Sequence, residues 1–496
     1  MAKLNTSQMR SQNTVANKRV VNREGGEGFI HKNIETEYMT QLLTSFFNEK
    51  KFYGDNSKDL QHNMQQIAET NPEFFIKSLA FARNEMNMRT TPIVGLATAA
   101  RINETKPYVK NWAARIIRRA DEPGEVIAAY RSMYGKRSVV PMCLRKGITN
   151  ALNNNFDEYQ LGKYKEKGGL KLVDVFNLVH PKPTPEKEEL FKKVIEGNIP
   201  IPYTWETVTS ERGSTKEVWE ELIASNKMGY MALLRNLRNF MEKGVSNIGI
   251  ALEILSDNER VRRSKQLPFR FISAHREIEN TNGDHFIKNE ILQALNTALS
   301  HSVDNLNLPG RTAVLFDNSG SMGCNISNKS SLKYYDIANV LAALIMLQGG
   351  LGVAFGTEAK MVPLDYVNKS NLLAVGAHLH NTMDVGHATN VHRAIDILTD
   401  SNTKVDRIIL LSDMQCWNTM WGVPETFRSV FQRYRKILNN KCWLHSIDLA
   451  GYGTAVVPDN DSNINLLAGW SDKVLEYIPM VEAGQGGLIE AIQNYK

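Results

Sequence analysis

Apolar residues recur at two different spacings along this chain. In the first three-fifths they return every third or fourth position, as at Ile34, Tyr38 and Leu42, which is typical of helices that bury one face. After residues 308–310, Leu-Pro-Gly, short apolar runs such as "TAVLFD" and "RIILLSD" alternate with helical segments. This second pattern predicts a mostly parallel sheet with helices on both faces.

Prolines divide the helical part into short units. Pro92, Pro107 and Pro123 each open an apolar-periodic segment, and their separations correspond to one short helix plus a turn. Because such a helix buries only one face, neighbouring helices must stack. We therefore predict an α + α/β protein, whose parts are a flexible polar arm (1–28), a solenoid of HEAT-type helical repeats (29–305) and a Rossmann-like α/β domain (306–496).

Oxygen-bearing side chains follow the strands of the predicted sheet. Asp317, Ser319 and Ser321 stand at alternating positions after "TAVLFD", Thr389 precedes a predicted helix, and Asp413 ends "RIILLSD". Open α/β sheets bind ligands at the carboxyl ends of their strands. Two carboxylates and three hydroxyls suit a hard divalent cation, above all Mg²⁺. The alternative is a turn in which these residues bond only to their own loop.

Charge is distributed unevenly. Of 59 Lys and Arg and 53 Asp and Glu, residues 306–496 carry 15 and 17, which leaves 44 and 36 for residues 1–305. A basic excess favours a polyanionic partner, and the alternative is a solvated lysine-rich surface. The sequence has no apolar run of membrane-spanning length and no secretory signal, so we expect a cytoplasmic protein that does not bind a membrane. Its four cysteines are widely separated, so we expect neither a disulfide framework nor a zinc site.

The densest basic stretch covers residues 144–183. Its candidate RNA-binding residues stand among tyrosines and further lysines: Arg145, Lys146, Lys163, Lys167 and His180. Cationic side chains bind phosphates, and aromatic rings or histidine can stack on bases. The alternative is a solvated helix face followed by a loop.

Four segments resemble the TROVE module of the Ro autoantigen family: "QLGKYKEKGGLKLVDVFNLVHPKP", "IPYTWETV", "MALLRNLRNF" and "LPFRFISAHREI". The DxSxS loop, with Thr389 and Asp413 after it, resembles the metal-ion-dependent adhesion site of von Willebrand factor A domains. A TROVE module followed by an A domain is the arrangement of bacterial and other Ro proteins.

The resemblance implies a monomeric ring of helical repeats that the A domain helps to fasten. It implies binding of Y-type RNA outside the ring and of single-stranded ends of misfolded RNA in its hole, with a link to polynucleotide phosphorylase through the RNA. The family contacts fall on Lys163, Lys167 and His180, and on a helix that carries Arg145 and Lys146. At the metal site, the resemblance implies a docking role in which a partner carboxylate completes the coordination.

Three functions are compatible with these patterns to different degrees. The first is a non-catalytic RNA-binding scaffold in RNA quality control, and the second is a protein-interaction module that acts through the metal site. The third, a metal-assisted nuclease, is disfavoured because no general base accompanies the metal ligands and no nucleotide-binding or hydrolase motif occurs. We interpret His387, close to Thr389, as a surface loop residue.

Overall fold

The structure is a computed structural model that describes most of the chain. The described residues are 18–31, 33–45, 56–165, 170–301, 308–327, 330–368, 370–417, 425–458, 461, 463–471, 473–484 and 487–496. Among them, no helix combines the length and apolarity that crossing a bilayer requires.

A short hairpin opens the described chain. Its two strands pair antiparallel: β1, Arg19–Val21, and β2, Glu27–Phe29. Between them, the Asn22 side chain accepts hydrogen bonds from the backbone N–H groups of Glu24 and Gly26 at 3.0 and 2.9 Å. Such side-chain bonds fix a turn without apolar burial.

This hairpin corrects the predicted flexible arm for residues 18–28. Phe29 and Ala455 exchange two backbone hydrogen bonds of 2.9 Å, and the Asn22 amide donates to the Cys416 carbonyl at 2.6 Å. A polar segment offers little surface to bury, but backbone and amide hydrogen bonds to a distant part of the chain order it here. The rest of the predicted arm, residues 1–17, lies outside the described residues.

Seventeen α-helices follow within the described residues up to 301. Their bounds are: α1 Ile34–Thr44, α2 Asn56–Thr70, α3 Pro72–Asn84, α4 Thr90–Ala99, α5 Lys106–Ile116, α6 Glu122–Tyr134, α7 Met142–Asn155, α8 Glu158–Tyr164, α9 Leu172–Val179, α10 Glu188–Ile195, α11 Trp205–Arg212, α12 Lys216–Ala224, α13 Tyr230–Glu242, α14 Ile248–Ser256, α15 Asn258–Ser264, α16 Pro268–Glu279 and α17 His285–His301. Pro107 and Pro123 lie in the first turns of α5 and α6, as their spacing predicts.

One face of each repeat helix packs on its neighbours. In α5, Val109, Ala113 and Ile116 are fully buried at the spacing of a single helical face. Helix α7 lies against this face, and Gly147 permits the close approach, because a Cβ there would lie 2.6 Å from the Ala113 Cβ. The apolar face that the sequence periodicity predicts is thus the surface through which neighbouring repeat helices stack.

A six-stranded sheet forms the core of the second half. Its strands and surrounding helices are: β3 Thr312–Asp317, α18 Tyr334–Leu347, β4 Leu351–Phe355, β5 Ala359–Met361, α19 Leu372–Thr382, α20 Val391–Asp400, β6 Arg407–Ser412, α21 Phe427–Ile437, β7 Trp443–Asp448, β8 Ile464–Ala468, α22 Lys473–Glu482 and α23 Leu488–Gln493. The strand order is β5-β4-β3-β6-β7-β8, and only the β4–β5 pair is antiparallel. The carboxyl ends of the neighbouring strands β3, β6 and β7 therefore meet at one edge.

The α/β domain contacts both ends of the helical half. At the beginning, α1 packs on β8 and α3 on α23, where the Lys77 ammonium donates to the Gln493 carbonyl at 2.8 Å. At the other end, α16 and α17 pack on α18 and α19. Lys265, just after α15, also donates to the Asn84 carbonyl of α3 at 3.2 Å. The helical repeats are thus closed through the α/β domain, and the predicted fold class is confirmed.

The boundary predicted at residues 305 and 306 lies between the two halves. Helix α17 ends at His301, and β3 begins at Thr312. Residues 305 and 306 lie outside the described residues, so the boundary stays a prediction.

Candidate functional site

The loop after β3 brings three predicted ligands together. Asp317, Ser319 and Ser321 are all buried. The Ser319 N–H donates to Asp317 Oδ1 at 2.9 Å, and the Ser319 and Ser321 hydroxyl oxygens lie 3.3 Å apart. On the neighbouring strand, the Ser412 hydroxyl donates to Asp317 Oδ2 at 2.6 Å. These hydrogen bonds fix the Asp317 carboxylate against the ends of β3 and β6.

The remaining two predicted ligands lie at the same edge. Asp413 follows β6 and is fully buried; its Oδ1 accepts the Gln415 N–H at 3.1 Å, whereas its Oδ2 has no hydrogen-bond partner among the described residues. Thr389 is buried and accepts the Trp417 N–H at its carbonyl at 2.9 Å. The Gly320 N–H donates to the His387 carbonyl at 2.8 Å, and this hydrogen bond joins the loop after β3 to the loop that carries Thr389. The side chain of His387 is exposed, as predicted.

The electrostatics of this cluster favour a cation. Burial raises the pKa of Asp317 to about 6, although its hydrogen bonds to Ser319 and Ser412 oppose the shift. Burial and the charge of Asp317 raise the pKa of Asp413 to about 8. Two buried carboxylates with one unsatisfied oxygen are unfavourable as anions in the absence of a positive charge.

The donor chemistry fits a hard divalent ion. In the described ranges, no group of three or more His, Cys, Asp or Glu side chains could hold a metal. The five predicted ligands at the sheet edge are not a group of that kind, because three of their five donors are hydroxyl groups. Carboxylate and hydroxyl oxygens suit Mg²⁺, Mn²⁺ or Ca²⁺, not a softer ion such as Zn²⁺.

A third carboxylate at this edge was not among the predicted residues. Asp448 ends β7, is buried, and accepts the N–H groups of Ala450 and Gly451 at 2.8 and 2.7 Å. Its negative charge contributes to the raised pKa of Asp413, after burial and the charge of Asp317. The signal was visible as an acid at the end of an apolar run, but without nearby hydroxyls it did not suggest a ligand.

The N-terminal hairpin supports the loop that carries Asp413. The Arg23 N–H donates to Gln415 Oε1 at 2.9 Å, and Gln415 Nε2 donates to the Thr454 hydroxyl at 3.1 Å. A Cβ at Gly26 would lie 2.1 Å from the Cys416 carbonyl oxygen, so only glycine permits this contact. Sequence reasoning missed this support because almost 400 residues separate the partners.

The candidate RNA-binding residues lie on three consecutive helices and their ends. Arg145 and Lys146 are on α7, Lys163 is near the end of α8, and His180 follows α9 in a left-handed conformation, with φ of 50°. Helix α7 packs on α9. Lys167 lies outside the described residues.

These side chains reach solvent. Lys146 and His180 are exposed, and Arg145 and Lys163 are half-buried. The Lys163 ammonium lies 5.8 Å from the centre of the Tyr164 ring and borders a groove of about 750 Å³ that reaches the exposed ring of Tyr203. The structure places Lys163 beside aromatic rings, and it places Arg145, Lys146 and His180 on the packed pair α7 and α9.

A comparison with protein families identifies the helical half. Residues 36–199 and 193–308 match the TROVE domain, and together they make up more than half of the chain. The chain belongs to the TROVE domain family. Helices α1–α17 are the TROVE part, and the α/β domain follows it. The resemblance to the TROVE module seen in the sequence is confirmed, and proteins of this family are generally RNA-binding components of ribonucleoproteins.

Two curated relatives of this TROVE protein are much longer than it is. Telomerase protein component 1 of Mus musculus is 27% identical over 298 residues, which are 43% of this chain and 11% of the mouse protein. Telomerase protein component 1 of Rattus norvegicus is 26% identical over 329 residues, 49% of this chain and 12% of the rat protein. The chain therefore spans only about a tenth of the length of these relatives.

A solved structure resembles the TROVE protein over nearly its whole length. The crystal structure of the Deinococcus radiodurans Ro (RSR) protein matches with a TM-score of 0.57 and 14% identity, over 92% of this chain and 100% of that one. At this identity the likeness shows the fold alone. It agrees with the predicted combination of helical repeats and an α/β domain.

Proposed function

We propose that this TROVE protein is a non-catalytic RNA-binding protein. It binds small structured noncoding RNAs of the Y type on the outside of the helical half and single-stranded ends of misfolded RNAs inside the ring. It acts as a scaffold in RNA quality control, processing or decay, where the bound RNA links it to an exonuclease such as polynucleotide phosphorylase. Family membership and the excess of 44 Lys and Arg over 36 Asp and Glu in residues 1–305 support an RNA partner.

The observation that carries this proposal is that four basic side chains have no carboxylate partner in the described part of the chain. Among the described residues, Arg145, Lys146, Lys163 and His180 form no ion pair, whereas nearby Lys193 lies 3.1 Å from a carboxylate oxygen of Glu158. Basic groups without a carboxylate are available to phosphates. A curved helical surface suits RNA that is recognised by shape and charge.

The first prediction concerns the salt dependence of RNA binding. The double variant Lys146→Ala, Lys163→Ala should bind a stem-loop RNA with a single-stranded 3′ tail more weakly, because two phosphate contacts are lost. The slope of log K against log salt should become flatter by about 1.5 to 2 units. Fluorescence anisotropy at several salt concentrations measures both quantities.

The control removes two lysines that already have carboxylate partners. Lys192→Ala, Lys193→Ala breaks contacts to Glu196, Glu158 and Glu189, so RNA affinity should change little. Equal losses in the two double variants would mean that only net charge matters. Salt-insensitive or absent binding by the wild-type protein would contradict the proposed function.

A second candidate function rests on the unsatisfied Oδ2 of Asp413. We propose that Asp317, Ser319, Ser321, Thr389 and Asp413 hold Mg²⁺ at the sheet edge. A carboxylate of a partner protein then completes the coordination, so that the α/β domain acts as a docking module. The five oxygen donors and the burial of both carboxylates support this proposal.

The second prediction tests this metal site. Mg²⁺ should stabilise the wild-type protein, by about 2.7 kcal/mol at 100 times its Kd. Asp413→Asn should abolish this stabilisation, because an amide ligand lacks the negative charge. Thermal unfolding with and without MgCl₂ measures the effect, and Asp400→Asn, an exposed acid on α20, should retain it. An unchanged response of Asp413→Asn would rule out the site.

A further inference from the structure

A groove between α13 and α16 has an unusual charge composition. Its volume is about 270 Å³, and its wall combines apolar side chains, among them Met231 and Leu234, with three arginines. The arginines are Arg235 and Arg238 on α13 and Arg270 on α16. Helix α13 contains the segment "MALLRNLRNF", and the segment "LPFRFISAHREI" forms most of α16. Neither proposal above assigns a role to these two segments.

Helix α16 presents different faces to the α/β domain and to the groove. On the first face, Phe269 packs edge-on against Trp470 with ring centres 6.4 Å apart, and Arg276 donates to Asp336 at 2.6 Å. On the second face, Arg270 and Ser273 line the groove at a spacing of three residues. The α/β domain therefore fixes α16 while its other face stays open to solvent.

The three arginines differ in their partners. Arg238 donates a hydrogen bond to the Glu277 carboxylate and lies 3.7 Å from Glu242. Arg235 and Arg270 are exposed, and neither has a carboxylate within ion-pair distance in the described part of the chain. The Arg270 guanidinium lies 5.3 Å from the centre of the Phe269 ring. Among the described residues that line the groove, three arginines face one acid, Glu277, so two positive charges are left over.

The surroundings make this arrangement unfavourable for the protein alone. Although Arg270 reaches solvent, the surrounding atoms of the groove displace part of its water, and this desolvation and the charge of Arg235 lower its pKa. Arg270 is also the third residue of α16, where the positive end of the helix dipole disfavours a cation. An anion bound between the two guanidinium groups would offset the lost hydration of Arg270, its repulsion by Arg235 and the unfavourable helix dipole.

The chemistry of the groove favours a nucleotide phosphate. Guanidinium groups bind phosphate oxygens in a bidentate manner, and the apolar wall beside them can contact a sugar or base. We propose that Arg235 and Arg270 bind a phosphate group of an RNA chain, with the sugar or base of that nucleotide against Met231 and Leu234. This inference rests on the proposed RNA-binding function and adds a contact region separate from α7–α9.

The test measures RNA affinity and stability in the same variants. The probe is a fluorescein-labelled single-stranded oligouridylate, titrated by anisotropy at several salt concentrations against the full-length protein. Arg235→Gln and Arg270→Gln should each weaken binding by about tenfold, and the double variant, which loses one phosphate contact, should have a slope flatter by about 0.7 units. Arg263→Gln is the control, since Arg263 lies outside the groove lining and is already paired with Glu259, and its affinity should stay within about twofold of wild type.

Stability separates a binding role from a structural one. Removing one of two mutually repelling charges should leave the melting temperature of Arg270→Gln equal to or above that of the wild type, although RNA affinity falls. A lowered melting temperature with unchanged affinity would assign Arg270 to packing and overturn the inference.

The remaining outcomes distinguish this inference from the proposed function. If the wild type binds oligouridylate with a steep salt dependence and the double variant binds equally well, the groove is not a phosphate site, and the proposed function stands. If the wild type does not bind RNA, both fail. If the double variant loses binding of a polyglutamate peptide but not of RNA, the groove takes an acidic protein segment instead.

Discussion

Glu482 connects two strands of the sheet to helix α22 through its side chain. Arg407, which is 3% exposed, donates two hydrogen bonds of 2.7 Å to its carboxylate, and His445 Nε2 lies 2.9 Å from Oε1. Asn465 donates to His445 Nδ1 at 3.1 Å, so the proton of the neutral ring is on Nε2. Although burial opposes the shift, the hydrogen bonds from Arg407 and His445 lower the pKa of Glu482 to about 2.

The third prediction follows from this lowered pKa. Because the folded protein holds the Glu482 proton less tightly than the unfolded chain does, the stabilisation is complete above the ordinary glutamate pKa and is lost as the pH falls toward 2. Glu482→Gln should lower the free energy of unfolding by about 2 kcal/mol at neutral pH. Urea unfolding at several pH values should show this difference shrinking below pH about 4.5.

The control for Glu482 is on the same helix. Glu476→Gln changes an exposed acid of α22 and should alter stability by less than about 0.5 kcal/mol. A difference between Glu482→Gln and wild type that stays constant down to pH about 2 would contradict the ionised hydrogen-bonded pair.

At the scale of single residues, the sequence shows which side chains follow an apolar run, and this predicts which of them meet at the edge of the sheet. Asp317 and Asp413 each follow an apolar run, and parallel pairing of β3 with β6 places them together. The ion pair of Arg407 with Glu482 could not be predicted, because 75 residues separate the partners and neither stands in a motif. The proximity of Arg235 and Arg270 could not be predicted either, because it arises from the packing of α13 against α16.

At the scale of elements, helix packing depends on a few small residues. Val109 and Ala113 of α5 lie directly against Gly147 of α7. The sequence indicates both helices through their apolar periodicity, but it does not say which pairs come closest. The close approach is a property of the interface, where only an absent side chain leaves room for the neighbouring helix.

The fourth prediction tests this interface. Gly147→Ala should destabilise the protein by about 1 to 3 kcal/mol, because the added methyl group collides with Ala113 and the Val109 carbonyl. Gly249→Ala on α14 is the control: none of the described residues has an atom within 4 Å of a Cβ added there, and it should stabilise by about 0.5 kcal/mol. Thermal unfolding of both variants gives the comparison, and destabilisation by Gly249→Ala alone would contradict the packing argument.

At the scale of the whole molecule, one buried carboxylate joins the two halves. Asp336 on α18 is fully buried and accepts hydrogen bonds from Arg276 on α16 and from the Lys333 N–H at 2.8 Å. Arg276 also donates to the Ala377 carbonyl of α19 at 3.1 Å. A single side chain of the TROVE part therefore neutralises a charge inside the α/β domain.

The fifth prediction concerns this junction. Arg276→Ala should destabilise the protein by about 3 kcal/mol, because it leaves the Asp336 charge buried without a cation. Hydrogen exchange should increase in α16 and α18. Arg263→Ala, which removes an exposed arginine of α15, should cost less than about 0.5 kcal/mol. Equal effects of the two variants would show that Arg276 does not hold the halves together.

The amino-acid sequence alone was sufficient to predict the helical and the alternating strand–helix patterns, the order of the two halves, the TROVE resemblance and the candidate oxygen ligands at the strand ends. These are local properties, since periodicity and the residues that follow a strand can be seen within a short segment. The hairpin at residues 18–28 and the closure of the helical half by the α/β domain became visible in the folded structure. The tertiary structure alone brought Arg235 beside Arg270 and Arg276 beside Asp336. Such contacts join residues far apart in the chain, and their energies depend on burial and distance, which no local pattern specifies.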